Sequence, residues 1–193
     1  MLRTISLSML ALAALTLASC ASPPSAGPSG SAGPMGAHMH GDMMKGRMAV
    51  ASLTPTQGNS VRGLVMFHEM DGHLMAHARI SGLKPDSEHG FHVHEIGSCA
   101  SPDGTSAGGH FNPDGKPHGP QNAAHHVGDL PALKADAKGE VDQKFMLTGP
   151  TVAAGPNSVV GRSVIVHAQP DDYTTQPTGN SGGRIGCGVI AAH

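Results

Sequence analysis

The sequence has no tryptophan, and only 3% of its 193 residues are aromatic. A folded core must therefore rest on Val, Ile, Leu, Met and Phe, which is adequate for a small β-barrel. Helical patterning is missing as well, since no stretch keeps a helical period for three turns. There is no surplus of charge: 12 Lys and Arg stand against 14 Asp and Glu, a net −2 at pH 7. Whole-protein charge thus argues for neither nucleic acid nor an acidic membrane as partner, and attraction of an anion would have to come from a local field. The longest apolar run, residues 5–17, is too short for a comfortable membrane span. Cysteine is scarce, with three in the chain.

The short apolar run fits the core of an export signal instead. Arg3 gives it a positive start, and small residues follow it. Its end, Leu17-Ala18-Ser19-Cys20, resembles the lipobox of bacterial lipoproteins, in which the cysteine becomes the lipidated first residue. The plainer alternative is an ordinary signal peptide with a chance cysteine. More than one acyl chain on Cys20 would anchor the protein stably. Ala21 and Ser22 carry no acidic signal, so the same resemblance favours an outer-membrane address over an inner one, in the cell envelope and facing the periplasm or the surface. The expected organisation is a signal peptide over 1–19, a lipidated flexible tether over 20–45 and one domain over 46–193. The tether is rich in Pro, Gly, Ser and Ala and cannot bury enough apolar surface to fold. If Cys20 is lipidated, Cys99 and Cys187 remain as a pair in an oxidising compartment, either bonded or as two free thiols. Closing so long a loop is worth roughly 4–5 kcal/mol in the chain-entropy model.

After residue 46 the signals are those of strands. Val61, Gly63, Val65 and Phe67 alternate with Arg62, Leu64, Met66 and His68. Leu74, Ala76, Ala78 and Ile80 alternate with His73, Met75, His77 and Arg79, and Asp71-Gly72 between these runs is hairpin turn chemistry. Val141, Gln143, Phe145 and Leu147 form another alternating run, and 164–167 and 185–190 are apolar. Many short strands bounded by Gly and Pro predict an antiparallel sandwich or barrel. Two long segments, 97–125 and 170–183, lack strand character. Loops of that length in a compact domain are functional or stapled.

The chain also holds fourteen histidines. His92 and His94 lie two apart on a predicted strand, so both face one side, roughly 6.6–6.8 Å apart, and can converge on one ion. Phe91 and Val93 then face the core. His110, His118 and His126 follow at intervals of eight, and Asp129 comes three residues later. Three imidazole nitrogens and one carboxylate oxygen suit a closed tetrahedral zinc site. His125 competes with His126 for the third place, and spacing does not choose between them. His167 stands far off at the end of a strand. His68, His73, His77, His89 and His193 read as surface residues.

Several segments together resemble the copper/zinc superoxide dismutases: Gly90-Phe-His-Val-His-Glu-Ile-Gly, Ser106-Ala-Gly-Gly-His-Phe-Asn-Pro, His126-Val-Gly-Asp, Val164-Ile-Val-His and Thr178-Gly-Asn-Ser-Gly-Gly-Arg-Ile-Gly-Cys-Gly-Val-Ile. The likeness runs from about Arg47 to Ile190. It implies an all-β, eight-stranded Greek-key barrel with two long functional loops. It further implies disproportionation of superoxide to dioxygen and hydrogen peroxide, near the diffusional ceiling of about 10⁸–10⁹ M⁻¹s⁻¹. Carried onto these positions, His92, His94, His110 and His167 would hold copper. His110, His118, His126 and Asp129 would hold zinc, with His110 bridging as an imidazolate and giving up a proton during turnover. The likeness selects His126 over His125. It also selects Asp171, over its neighbour Asp172, as the carboxylate that links the two sites. Arg184 would attract and orient superoxide.

The tether carries a second signal. Met35, His38, Met39, His40, Met43 and Met44 place four thioethers and two imidazoles within ten residues. Soft thioethers favour Cu(I) and imidazoles accept Cu(II), so the segment is expected to capture copper for the domain. The alternative for the whole chain is a copper-binding or copper-buffering lipoprotein of the same fold. Oligomeric state is open between monomer and homodimer.

Overall fold

The computed structural model describes residues 46–193. The expected signal peptide, the lipidation site at Cys20 and the Met/His segment from Met35 to Met44 lie outside the described residues. Strands run in chain order as β1 (Arg47–Pro55), β2 (Arg62–Met70), β3 (His73–Ser81), β4 (Glu88–His89), β5 (Phe91–His94), β6 (Leu133–Lys134), β7 (Val141–Leu147), β8 (Ser163–His167) and β9 (Arg184–Ala192). Seven form one curled antiparallel sheet in the order β5-β8-β9-β1-β2-β3-β7, and β4 pairs with β6. Only Gly90 separates β4 from β5, so the two make one interrupted strand and the barrel has eight. A side chain at Gly90 would meet Ser181 Oγ at 2.5 Å. The circuit closes where the Lys134 N–H of β6 donates to Gln143 Oε1 of β7 at 2.7 Å.

The β2–β3 hairpin turns at Asp71 and Gly72, with φ of 50° and 77°. Two successive left-handed residues make the primed turn whose twist matches the strands it joins. The alternation predicted for β3 holds: Leu74, Ala76, Ala78 and Ile80 are buried. One expectation fails. Among the described residues no methionine is buried, and the core is filled by Val, Leu, Ile, Phe and a set of alanines including Ala49, Ala51, Ala76 and Ala78. The reason is register. The methionines of β1, β2, β3 and β7 occupy the alternate positions that face outward.

The first long loop is fastened to β5 as though it were a further strand. Phe111 N–H donates to Val93 O, and Val93 N–H donates to Gly128 O, each at 2.8 Å. Bridges pair His92 with Asp129 and His94 with His110. Gly128 permits this approach, because a side chain there would strike Val93 O. A disulfide joins Cys99 in the loop to Cys187 in β9 across 88 residues of sequence. Backbone pairing and one covalent tie therefore hold the loop histidines against the strand histidines.

Candidate metal centre

Two groups of side chains converge on the outer side of β5 and β8. One is His92, His94, His110 and His167, and the other is His110, His118, His126 and Asp129; within each group the donor atoms lie within 4.8 Å of one another. All seven residues are buried. His92 and His94 come from alternate positions of β5 and His167 from the end of β8, antiparallel neighbours in the sheet. His110, His118, His126 and Asp129 come from the loop.

Hydrogen bonding fixes which nitrogen of each ring is free. His94 Nδ1 donates to Gly108 O at 2.9 Å, and His167 Nδ1 donates to Gly182 O at 3.2 Å. A carbonyl only accepts, so the proton sits on Nδ1 and Nε2 carries the lone pair. The two Nε2 atoms lie 3.4 Å apart. His92 is held the other way round: its Nε2 donates to Asp171 Oδ2 at 2.6 Å, and its Nδ1 is buried without a partner.

His110 is the hinge of the arrangement. Its Nδ1 lies 3.0 Å from Asp129 Oδ1, while its buried Nε2 has no partner among the described residues. The ring packs at 4.0 Å from the ring of His92. One imidazole thus presents a nitrogen to each group. In the second group His118 Nδ1 and His126 Nδ1 approach Asp129 Oδ1 to 3.0 and 3.2 Å without the alignment a hydrogen bond requires. Three nitrogens gathered around one carboxylate oxygen, two of them buried without a partner, are what a tetrahedral cation would satisfy. Asp129 is fixed for this through its other oxygen, Oδ2, which accepts N–H bonds from His126 at 2.9 Å and Gly119 at 3.1 Å.

Asp171 spans the groups. Its Oδ2 accepts from His92, and its Oδ1 accepts from His118 Nε2 at 2.9 Å. Asp172 is exposed and bonds instead to Thr174 and Thr175. His125 is half-buried, with Nδ1 donating to Ala123 O at 2.7 Å, and stands outside the group that His126 joins.

Protonation follows from burial and charge. Burial, with His110 nearby, holds His94 down at about 2. Burial, reinforced by His92, holds His167 at about 3. Burial outweighs the Asp129 hydrogen bond and leaves His110 at about 4. These rings are neutral at pH 7 and keep a lone pair for a cation. His118 differs: burial opposes its charge, but the neighbouring carboxylates of Asp129 and Asp171 overcome it and push the ring up to about 9. Asp129 and Asp171 are held below the usual carboxylate range by these histidines, against burial. The neutral rings fit copper, and at His118 a zinc ion would take the place of a proton beside the fixed carboxylate.

Arg184 opens β9 opposite His167. Its Nη1 donates to Gly104 O at 2.7 Å and its Nη2 to Gly108 O at 2.6 Å. Its guanidinium lines an open cleft with Thr56, Asn59, Asp103 and Gly183.

Three contributors had no role in the sequence reading. Gly179 has φ of 65°, and a side chain there would collide with Asp171 Oδ1. The Gly-rich run 178–183 was the available signal. Tyr173 stacks on His118 with planes 4° apart, and its hydroxyl accepts from Ala132 N–H at 2.9 Å. His89, expected on the surface, is buried. Its Nδ1 donates to His167 O at 2.7 Å, and its Nε2 meets Ser87 Oγ at 2.7 Å, so it props the strand that carries His167.

Comparison with known proteins agrees with this geometry. A family model described as copper/zinc superoxide dismutase (SODC) matches residues 61–190. The superoxide dismutase-like protein YojM of Bacillus subtilis (strain 168) is 40% identical over 145 residues, covering 72% of this chain and 73% of its own length. A Brassica juncea protein named copper–zinc superoxide dismutase 2 is 42% identical over 150 residues, covering 73% of this chain and 95% of its own. The crystal structure of a double mutant of the Bacillus subtilis SOD-like protein aligns with a TM-score of 0.68 at 40% identity, over 74% of this chain and 96% of that one.

Proposed function

The chain belongs to the copper/zinc superoxide dismutase family, and from that premise we propose that it disproportionates superoxide to dioxygen and hydrogen peroxide at a copper–zinc centre joined through His110. The observation that carries this reading is that His110 alone belongs to both groups of donors. His92, His94, His110 and His167 would hold copper, and His110, His118, His126 and Asp129 would hold zinc. When bound, copper supplies a one-electron couple that imidazole ligands support in both oxidation states, and zinc supplies a fixed charge.

The chain's own residues do the rest. Arg184 attracts the anion into the cleft and orients it with N–H groups left over from its two carbonyl bonds. Asp171 fixes the tautomer and orientation of His92 and His118, so that their free nitrogens stay aimed. His110, steadied through Nδ1, can hold a proton at Nε2 and release it to the departing peroxide. Burial of the rings excludes water from the donors, and Arg184, bonded to the same Gly108 carbonyl as His94, would guide a small anion towards them.

We further propose an exported protein anchored through a lipid on Cys20, with Met35, His38, Met39, His40, Met43 and Met44 capturing copper for the domain. Mass spectrometry of the membrane fraction tests the anchor, and an unmodified Cys20 thiol would end it. Deleting residues 35–44 under limiting copper tests the capture, and unchanged loading would sink it.

The deciding experiment for the main reading is superoxide consumption by the purified chain with its copper and zinc measured. Activity should vanish on copper removal and return with copper alone. A fully loaded yet inactive protein would instead support copper buffering by the same fold.

A further inference from the structure

All five described methionines, Met48, Met66, Met70, Met75 and Met146, face away from the barrel core, half-buried or exposed. Methionine is among the residues most often fully buried, so this distribution needs a reason. Strand register supplies a pattern. Met48 stands opposite His68, His68 opposite Met75, and Met75 opposite Met146. One row across β1, β2, β3 and β7 therefore reads Met-His-Met-Met. In the next row on the same face Met66 stands opposite His77. Directly opposed residues have Cβ atoms about 4.5–5.5 Å apart and diagonal neighbours about 7–8 Å, both within reach of long side chains.

The two histidines are available in different ways. His77 Nε2 meets Asp142 Oδ1 at 2.6 Å, which orients the ring and leaves Nδ1 over. His68 makes no side-chain hydrogen bond among the described residues. A side chain at Gly46 would meet its Nε2 at 2.5 Å, so His68 lies against the first described residue. None of the seven residues of the paired groups lies on β1, β2, β3 or β7.

We propose that this outer face of β1, β2, β3 and β7 is a Cu(I) site centred on the opposed pair His68 and Met75, with Met48 on one side and Met146 on the other as alternate third donors and Met66 and His77 beside them. Thioethers are soft donors that select Cu(I), and imidazole completes the set without excluding it. A lipid surface or a second copy of the chain would be met equally well by leucines and gives no use to the interleaved histidines. Harder divalent ions prefer oxygen and nitrogen to thioether sulfur. The site does not depend on superoxide turnover.

The test uses the chain carrying its copper and zinc, reduced and kept free of oxygen, titrated with Cu(I) against the chelator bicinchoninate. X-ray absorption at the copper edge is the second readout. The paired groups offer only nitrogen and oxygen, so sulfur scattering reports copper bound elsewhere. A chain lacking residues 35–44 should still take up a further Cu(I) with sulfur neighbours. In that background, joint replacement Met48→Leu, Met75→Leu and Met146→Leu should abolish the sulfur signal, with size and apolarity nearly kept. His68→Gln is the second variant and should weaken uptake. Nitrogen-only copper and zinc content at the paired groups controls for folding in every arm. Absence of sulfur-bound copper in the shortened chain, or its persistence in the triple variant, overturns the proposal. Either result leaves the superoxide reading standing, since that is assayed separately.

Discussion

His94 and Arg184 donate to the same acceptor, the carbonyl oxygen of Gly108, at 2.9 and 2.6 Å. That oxygen sets the tautomer of His94, leaving Nε2 for a metal, and it also sets the guanidinium beside the ring. The two side chains are therefore placed by one backbone atom of the loop, and the disulfide between Cys99 and Cys187 restrains the loop that carries it.

Arg184→Gln keeps a donor for Gly108 and removes the charge. Superoxide consumption at low salt should fall about tenfold or more, within the range by which local fields raise anion encounter rates. The remaining rate should depend less on ionic strength, and Arg184→Lys should restore part of both. Rates measured across a salt series decide; an unchanged salt slope in Arg184→Gln would remove the steering role.

Asp171→Asn keeps the size of the side chain that joins His92 to His118 but removes its charge and offers one acceptor oxygen in place of two. Loss of such an orienting partner costs about 10–100-fold in metal affinity. Chelator competition for zinc and copper should show weakening at both groups, because the carboxylate touches a ring from each. Weakening at one group alone would mean that the link does not couple them.

Sequence carried the local part of this architecture. The period of two in β3 and the Asp71-Gly72 turn follow from side-chain alternation and backbone freedom, both of which are properties of neighbours in the chain. His92 and His94 were readable for the same reason. Features that depend on register were not. The acceptor at Gly108 is a backbone atom with no side-chain signature. The burial of His89 depends on Ser87 and on the distant His167 carbonyl. Met75 and His68 were visible as outward positions of separate strands, but only the pairing of β2 with β3 puts them side by side. His125 and His126 are adjacent and chemically identical, so the loop's path decides which one turns inward.

Removing the Cys99–Cys187 bond, as Cys99→Ser with Cys187→Ser, should lower stability by about 2–5 kcal/mol, as for native disulfides in small exported domains. The tie also holds the loop that carries Gly108, so the loss should reach the centre. Urea unfolding of the metal-free variant should show the lower midpoint, and copper content at limiting copper should fall with it. Copper retention equal to that of the parent would confine the bond to a purely global role.

Stability of the metal-free protein should pass through a maximum near the ordinary histidine value of 6.5. His94, His110 and His167 fold with values of about 2, 4 and 3, below that ordinary value. Between those values and 6.5 the unfolded chain binds protons that the folded chain refuses. Their contribution is thus complete above 6.5 and is lost as pH falls below it. His118 has the opposite sign. Its folded value of about 9 means that its contribution is complete below 6.5 and is lost as pH rises through 9. Metal binding at His118 Nδ1 displaces that proton, so the alkaline limb should flatten when zinc is restored. Urea midpoints of the chelator-treated and zinc-loaded proteins, measured at intervals between acid and alkaline pH, test both limbs. A metal-free midpoint that holds steady or rises below 6.5 would show that the three rings are not kept neutral by burial.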